Sequence, residues 1–177
     1  MPKNKNAAFT LIELLVVIAV IGLLAAIVAV SVNSARVKAR NAKTKTDIKA
    51  IITALEMARD SSSNDKYPSS DNTWRCLKSS GNCWRGVYAG DSDVTTALSP
   101  FLPNIPKTQA SSSSCRAYDS YLYRSNCPSA IGGAGGPGAW IIWAKEGSNF
   151  ATGECPGYNA GSYDCGLYYC YQYIGPN

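Results

Sequence analysis

The chain has 177 residues, 7 cysteines, no histidine and a formal net charge of +5. The absence of histidine removes the commonest general base and metal ligand and excludes Ser/His/Asp and Cys/His catalytic sets. From Ser61 to Asn177 eight Lys/Arg balance eight Asp/Glu, and the excess sits at Lys3, Lys5, Arg36, Lys38, Arg40, Lys43, Lys45 and Lys49, which excludes a globally basic nucleic-acid-binding head.

Residues 1–8 form a short basic leader, and Phe9 to Val32 is an apolar run of 24 residues interrupted by one carboxylate, Glu13. Such a run is long enough to span a bilayer core of about 30 Å. A charge within a membrane span costs roughly 2.5–3.5 kcal/mol at the bilayer centre, so Glu13 calls for a role. A cleavable secretory signal has an apolar core of only about 7–15 residues, so this run reads instead as the membrane half, 9–32, of a longer helix.

No proline occurs between Pro2 and Pro68, and the helix is expected to continue as an amphipathic half, 33–60. Ile48, Ile51, Ile52, Leu55 and Ala58 follow the spacing of one helical face. Asp60 to Asp65 is a stop, because its Ser, Asn and Asp side chains compete for backbone hydrogen bonds. The basic stretch after the span reads as a solvated or headgroup-facing helix surface. By charge alone it places the N-terminus outside. All seven cysteines, however, lie between Cys76 and Cys170, which places the following domain in an oxidising compartment.

Residues 61–177 are rich in Ser, Gly, Tyr and Cys and are expected to form a disulfide-containing globular head. Candidate strands are Trp84 to Ala89, Tyr118 to Arg124, Ala139 to Lys145 and Leu167 to Ile174, with a short helix over Asp93 to Leu102. Together with the N-terminal helix they predict an α+β fold in which the long helix packs on a small antiparallel sheet. Cys76 and Cys83 flank a six-residue turn and form a candidate disulfide. That bridge would bring Trp74 and Arg75 beside Trp84 and Arg85, as a candidate surface patch for stacking on bases or sugars, hence for DNA or glycan. The preferred reading is a Trp-packed hairpin with solvated arginines.

Cys115, Cys127, Cys155, Cys165 and Cys170 are further candidate disulfide cysteines whose connectivity spacing does not determine. No C-x-x-C pair is present, so neither zinc nor any other metal or cofactor is expected. Gly133 to Gly138 matches G-x-G-x-x-G, but Pro137 lies inside it and a strand-like segment follows, so it reads as a loop.

The run Phe9-Thr10-Leu11-Ile12-Glu13-Leu14-Leu15-Val16-Val17-Ile18 after a basic leader resembles the N-terminal signal of type IV pilins and pseudopilins. The resemblance is close over roughly the first 30 residues. It implies a prepilin peptidase cutting between Ala8 and Phe9 and N-methylating Phe9. It also implies extraction from the membrane into a helical filament, with Glu13 near the N-terminal amine of a neighbouring subunit. An unpaired carboxylate in a dry core is costly, so such a pairing would enforce register. The chain departs from the family in having Ala8 where glycine is usual and Val30 where many members have proline.

The resemblance implies a non-enzymatic structural subunit of a pilus-like filament: a homo-oligomer served by pilus assembly or secretion machinery. It would be made as a single-pass inner or cytoplasmic membrane precursor in contact with lipid and end at the cell surface or in an extracellular filament. The alternatives are a pseudopilin of a type II secretion or DNA-uptake machine, and a membrane-anchored binding protein that never polymerises.

Overall fold

The computed structural model describes residues 9–84, 86–108, 120–128, 136–146, 159–163 and 167–177. The chain divides into two compact units, residues 1–38 and 39–177. Helix α1 (Leu11–Asp60) is continuous over 50 residues, as expected for a proline-free segment rich in Leu, Ile and Ala.

In the first unit the large apolar side chains from Phe9 to Val28 are exposed. The helix is long and apolar enough to cross a membrane. An apolar surface of this extent is unfavourable in water and requires lipid or other apolar helices around it.

In the second unit the remainder of α1 buries Thr44, Ile48, Ile51, Leu55 and Ala58, one stripe at helical spacing, with Ile52 half-buried beside it. The helix stops at Asp60, where the Ser61 hydroxyl donates to the Ala58 carbonyl at 3.0 Å and competes for a helix-terminal acceptor.

The stripe packs on a five-stranded antiparallel sheet of β1 (Arg75–Cys76), β4 (Leu122–Cys127), β5 (Gly138–Glu146), β7 (Leu167–Gly175) and β6 (Asn159–Tyr163), in that order. A second ribbon pairs β2 (Asn82–Cys83) with β3 (Tyr88–Ala89). Because strand side chains alternate between faces, Tyr121, Tyr123, Ala139, Ile141, Trp143 and Cys170 meet the helix. Leu122, Ile142 and Ala144 face the other way, into a smaller core with Cys76, Cys83 and Trp84. The expected α+β arrangement, a long helix on an antiparallel sheet, is present.

Polar contacts fix the register of helix against sheet. Arg40 Nε donates to Glu146 Oε1 at 2.9 Å, and a second guanidinium nitrogen donates to Oε2. The Asn41 amide pairs with the backbone of the same residue: Nδ2 donates to the Glu146 carbonyl at 2.9 Å, and the Glu146 N–H donates to Oδ1 at 3.2 Å. Asn41 thus acts as a one-residue strand partner for the end of β5. Further along, the Tyr121 hydroxyl donates to Asp47 Oδ2 at 3.2 Å, and the Tyr123 hydroxyl to the Pro68 carbonyl at 2.9 Å. Burial, then the Asp47 charge, push the Tyr121 phenol above its ordinary pKa; burial does the same to Tyr123.

Gly138 opens β5 at φ 148°, and a Cβ there would lie 2.2 Å from the Gly175 carbonyl oxygen. Only glycine allows β5 and the end of β7 to approach so closely.

Several element boundaries differ from expectation. Of the strand expected over Trp84 to Ala89 only Tyr88–Ala89 pairs, and its partner is Asn82–Cys83, just before the expected start. Between them Trp84 and Gly86 take positive φ, at 50° and 82°, where no ladder continues. The strand expected to end at Arg124 starts pairing at Leu122 and runs on to Cys127 through a bulge; Tyr118 and Asp119 lie outside the described residues. The short helix α2 is Ser92–Leu98 rather than Asp93 to Leu102, because Asp91 caps it and the chain turns after Leu98. Strands β1 and β6 carry no apolar alternation and were not expected. Of the glycine-rich segment, residues 136–138 are described and lead into β5.

Candidate functional site

The first turn of α1 is closed by a reciprocal pair of side chains. The Thr10 N–H and the Thr10 hydroxyl both donate to Glu13 Oε2, at 2.9 and 2.7 Å, and the Glu13 N–H donates to Thr10 Oγ1 at 3.3 Å. This is a capping box: Thr10 is the N-cap, and Glu13, three residues on, returns to the cap's backbone. Helix-end N–H groups that have no intrahelical acceptor are thereby satisfied. The carboxylate also sits at the positive end of the helix dipole.

Both donors of Thr10 converge on one carboxylate oxygen. The other, Oε1, has no hydrogen bond among the described residues. The site is therefore a carboxylate held by one oxygen and presenting the other, beside an exposed Phe9. Its chemistry is that of an acceptor for a cationic donor. Sequence reading singled out Phe9 and Glu13 but missed Thr10, although the Thr-x-x-Glu spacing was there to be read. Ala8 lies outside the described residues.

Among the described residues the cysteines fall into three groups. Cys76 and Cys83 are bonded to each other, and both are buried. Cys170 is disulfide-bonded, and Cys127 carries a buried free thiol. Cys115, Cys155 and Cys165 lie outside the described residues.

Among the described residues, Trp74, Arg75 and Trp84 are not gathered into an exposed patch. Trp84 is only 7% exposed. Its Nε1–H donates to the Ser120 carbonyl at 2.7 Å, and its ring lies 4.9 Å from that of Tyr169 and 6.1 Å from that of Tyr88. It is a core residue of the outer sheet face rather than a stacking platform, because burial rewards its large apolar ring and the carbonyl satisfies its one donor. Arg75 is half-buried, with its guanidinium 3.7 Å from Asp71 and 3.8 Å from Asp91. Trp74 packs half-buried against the same core, and Arg85 lies outside the described residues.

No cluster of three or more metal-ligating side chains occurs among the described residues. Two surface hollows, of about 380 and 440 Å³, are lined mainly by Ser, Asn, Pro and Lys and by no carboxylate or cysteine among the described residues.

Comparison with known proteins bears on the N-terminal segment first. The family described as "Prokaryotic N-terminal methylation motif" matches residues 3–29. Over 84 residues the chain is 39% identical to the type II secretion system core protein G of Pseudomonas aeruginosa, covering 46% of this chain and 58% of that protein. Over 125 residues it is 30% identical to the type IV major pilin protein PilA of Myxococcus xanthus, covering 69% of this chain and 53% of that protein. A third relative, the type II secretion system core protein G of Aeromonas hydrophila, is 35% identical over 71 residues, 40% of this chain and 48% of that protein. The chain thus spans about half the length of the curated relatives it matches. No solved structure matches it.

Proposed function

We propose that this chain, which belongs to the type IV pilin and pseudopilin family, is a structural subunit of a type IV pilus-like filament, polymerising through its N-terminal apolar helix after leader cleavage. The precursor spans the membrane once. A prepilin peptidase removes residues 1–8 between Ala8 and Phe9 and methylates the new amine, and the apolar helices of many copies then cover one another in place of lipid. The observation that carries this reading is the match of residues 3–29 to the methylation motif, with Glu13 at the helix start holding a carboxylate oxygen that has no hydrogen bond among the described residues. Pairing of that oxygen with the Phe9 amine of a neighbour would neutralise both charges in a dry core and fix the axial register.

The test is Glu13→Ala. The variant should insert in the membrane as the wild type does and fail to appear in sheared filaments. Normal assembly of the variant would remove the role given to Glu13. Failure of the wild type to assemble under any condition would favour a membrane-anchored binder. Intact mass of protein from sheared filaments reports cleavage, methylation and disulfide count together.

A second reading, a pseudopilin of a secretion machine, is favoured by the two relatives named as type II secretion core protein G. It predicts that deleting the chain abolishes export of secreted proteins while surface pili persist.

A further inference from the structure

The sheet face turned away from α1 carries a row of large side chains that subunit assembly leaves unexplained. In β4 Arg124 lies two residues on from Leu122, and in β5 Trp140 lies two residues before Ile142, so both share the outer face. Arg124 pairs with Trp140 across the ladder, and Trp140 with Tyr173 of β7. The Trp140 and Tyr173 rings are 5.3 Å apart. On the other side Trp74, the residue before β1, packs half-buried on the same face. The register of Arg75 with Tyr123, continued by one residue, sets Trp74 opposite Arg124. The row therefore crosses four strands, a span of about 14 Å at a strand spacing of about 4.8 Å. Trp140 is fully buried, whereas Trp74, Arg124 and Tyr173 are half-buried.

The arginine stands apart from its counterparts. Among the described residues of 39–177, Arg40, Arg59 and Arg75 each have a carboxylate beside the guanidinium: Glu146, Asp60 at 2.9 Å, and Asp71 at 3.7 Å. Arg124 has no hydrogen bond or ion pair among the described residues, and its Nε is buried without a partner. A desolvated, unpaired guanidinium nitrogen is costly, and a missing ion is one of the few things that account for such an atom. The terminal Nη nitrogens are not among the buried unpaired atoms. They are thus open to a carboxylate, which can accept two parallel N–H···O bonds from them. Partial burial of the guanidinium strengthens that contact by lowering the local dielectric.

We propose that this row is a binding site for an acidic polysaccharide, with Arg124 holding a sugar carboxylate and the half-buried rings of Trp74 and Tyr173 lying against sugar faces on either side. Three features select this ligand. The row offers one unpaired cation, whereas nucleic-acid binding draws its affinity from many neutralised phosphates. Strands β4, β5 and β7 each lie between two others, which leaves this face no long edge for a peptide to join as a strand. Aromatic rings flanking one fixed charge match a polymer whose repeating unit has an apolar C–H face and a single carboxylate. The site belongs to the head, and it stands whether or not the chain enters a filament.

The experiment titrates the full chain in detergent with oligogalacturonate and oligoglucuronate, and with their neutral methyl esters, by calorimetry. The wild type should bind at least one acid about ten-fold or more tighter than its ester. Arg124→Gln should weaken the acid about ten- to hundred-fold, as for a lost hydrogen bond to a charged group, and leave the weak binding of the ester unchanged, which a misfolded head would not. Arg124→Lys should recover only part, because an ammonium cannot present the guanidinium fork. Trp74→Ala should weaken acid and ester alike.

No binding of either acid by the wild type would overturn the proposal. So would equal affinity for acid and ester, or an Arg124→Gln variant that binds as the wild type does. Single-stranded DNA bound by the wild type and lost in Arg124→Gln, with both acids ignored, would assign the row to nucleic acid and overturn it likewise.

Discussion

Removal of the Cys76–Cys83 bridge tests the account of the outer sheet face most directly. The bridge joins β1 to β2 across a sequence separation of 7 residues. On the loop-entropy relation a closed loop of that size stabilises the native state by about 2.4 kcal/mol at 25 °C. The two cysteines are 0% and 2% exposed and pack with Trp84, Leu122 and Ile142, so a double alanine variant also loses sulfur contacts. Against this, Trp84 sits at φ 50°, a left-handed conformation costing a bulky residue roughly 1–2 kcal/mol. Freed of the bridge, that segment relaxes and offsets part of the loss.

The expected net destabilisation for Cys76→Ala/Cys83→Ala is therefore about 2–3 kcal/mol. The assay is urea unfolding of the full chain in detergent, followed by tryptophan fluorescence, which the buried Trp84, Trp140 and Trp143 report. With a urea slope of roughly 1–3 kcal/mol/M the midpoint should fall by about 1–2 M. A midpoint within about 0.2 M of wild type would falsify the claim that the bridge constrains the unfolded chain and organises this core.

Three further outcomes are expected. Leu55→Ala removes a side chain that is 0% exposed in the helix-facing core and should cost about 2–5 kcal/mol of head stability, whereas Leu15→Ala, on the exposed part of α1, should leave the same unfolding transition unmoved. Asp91 Oδ1 accepts from the N–H groups of Asp93 and Val94 at 3.0 and 3.1 Å; Asp91→Ala should therefore destabilise by about 1 kcal/mol and Asp91→Asn by much less, and equal losses would mean that charge toward Arg75, not capping, matters. The native pKa values of Tyr121 and Tyr123 are raised above an unfolded value near 10. Their contribution is therefore fully present below about pH 10 and is lost above it, by about 1.4 kcal/mol per pH unit for each tyrosine, as the unfolded phenols ionise first. A double Tyr→Phe variant at both positions should show a flatter alkaline limb in urea midpoints measured between pH 9 and 11.5; a limb as steep as wild type would place the sensitivity elsewhere.

The helix was legible because its determinants are local. The absence of proline, the spacing from Ile48 to Ala58 and the polar stop after Asp60 act within a turn or two of each residue. Strands β5 and β7 were legible for a similar reason, as long runs of aromatic and β-branched residues. The ends of β4, the break at Trp84 and the two-residue β1 were not. Their limits are set by partners distant in sequence, as when Leu122 pairs with Cys76 on one side and Ile142 on the other. At the N-terminus Phe9 and Glu13 stood out by type and place, while Thr10 passed as one more small residue until its two donors were seen on the Glu13 carboxylate.

By itself the sequence determined the long apolar helix, its single carboxylate, the neutral cysteine-rich head and the family motif. These depend on composition and short-range order, which a linear reading contains. The tertiary structure alone decided that Trp84 is core rather than surface, that Asn41 completes the end of β5, and that Glu13 commits one oxygen to Thr10 and leaves the other without a hydrogen bond among the described residues. Trp84 and Asn41 depend on which distant groups reach each other once the helix and sheet are packed, and burial cost selects among arrangements that the linear pattern leaves equal. The Glu13 arrangement is local, yet it turns on the orientation of two side chains, which residue order alone does not specify.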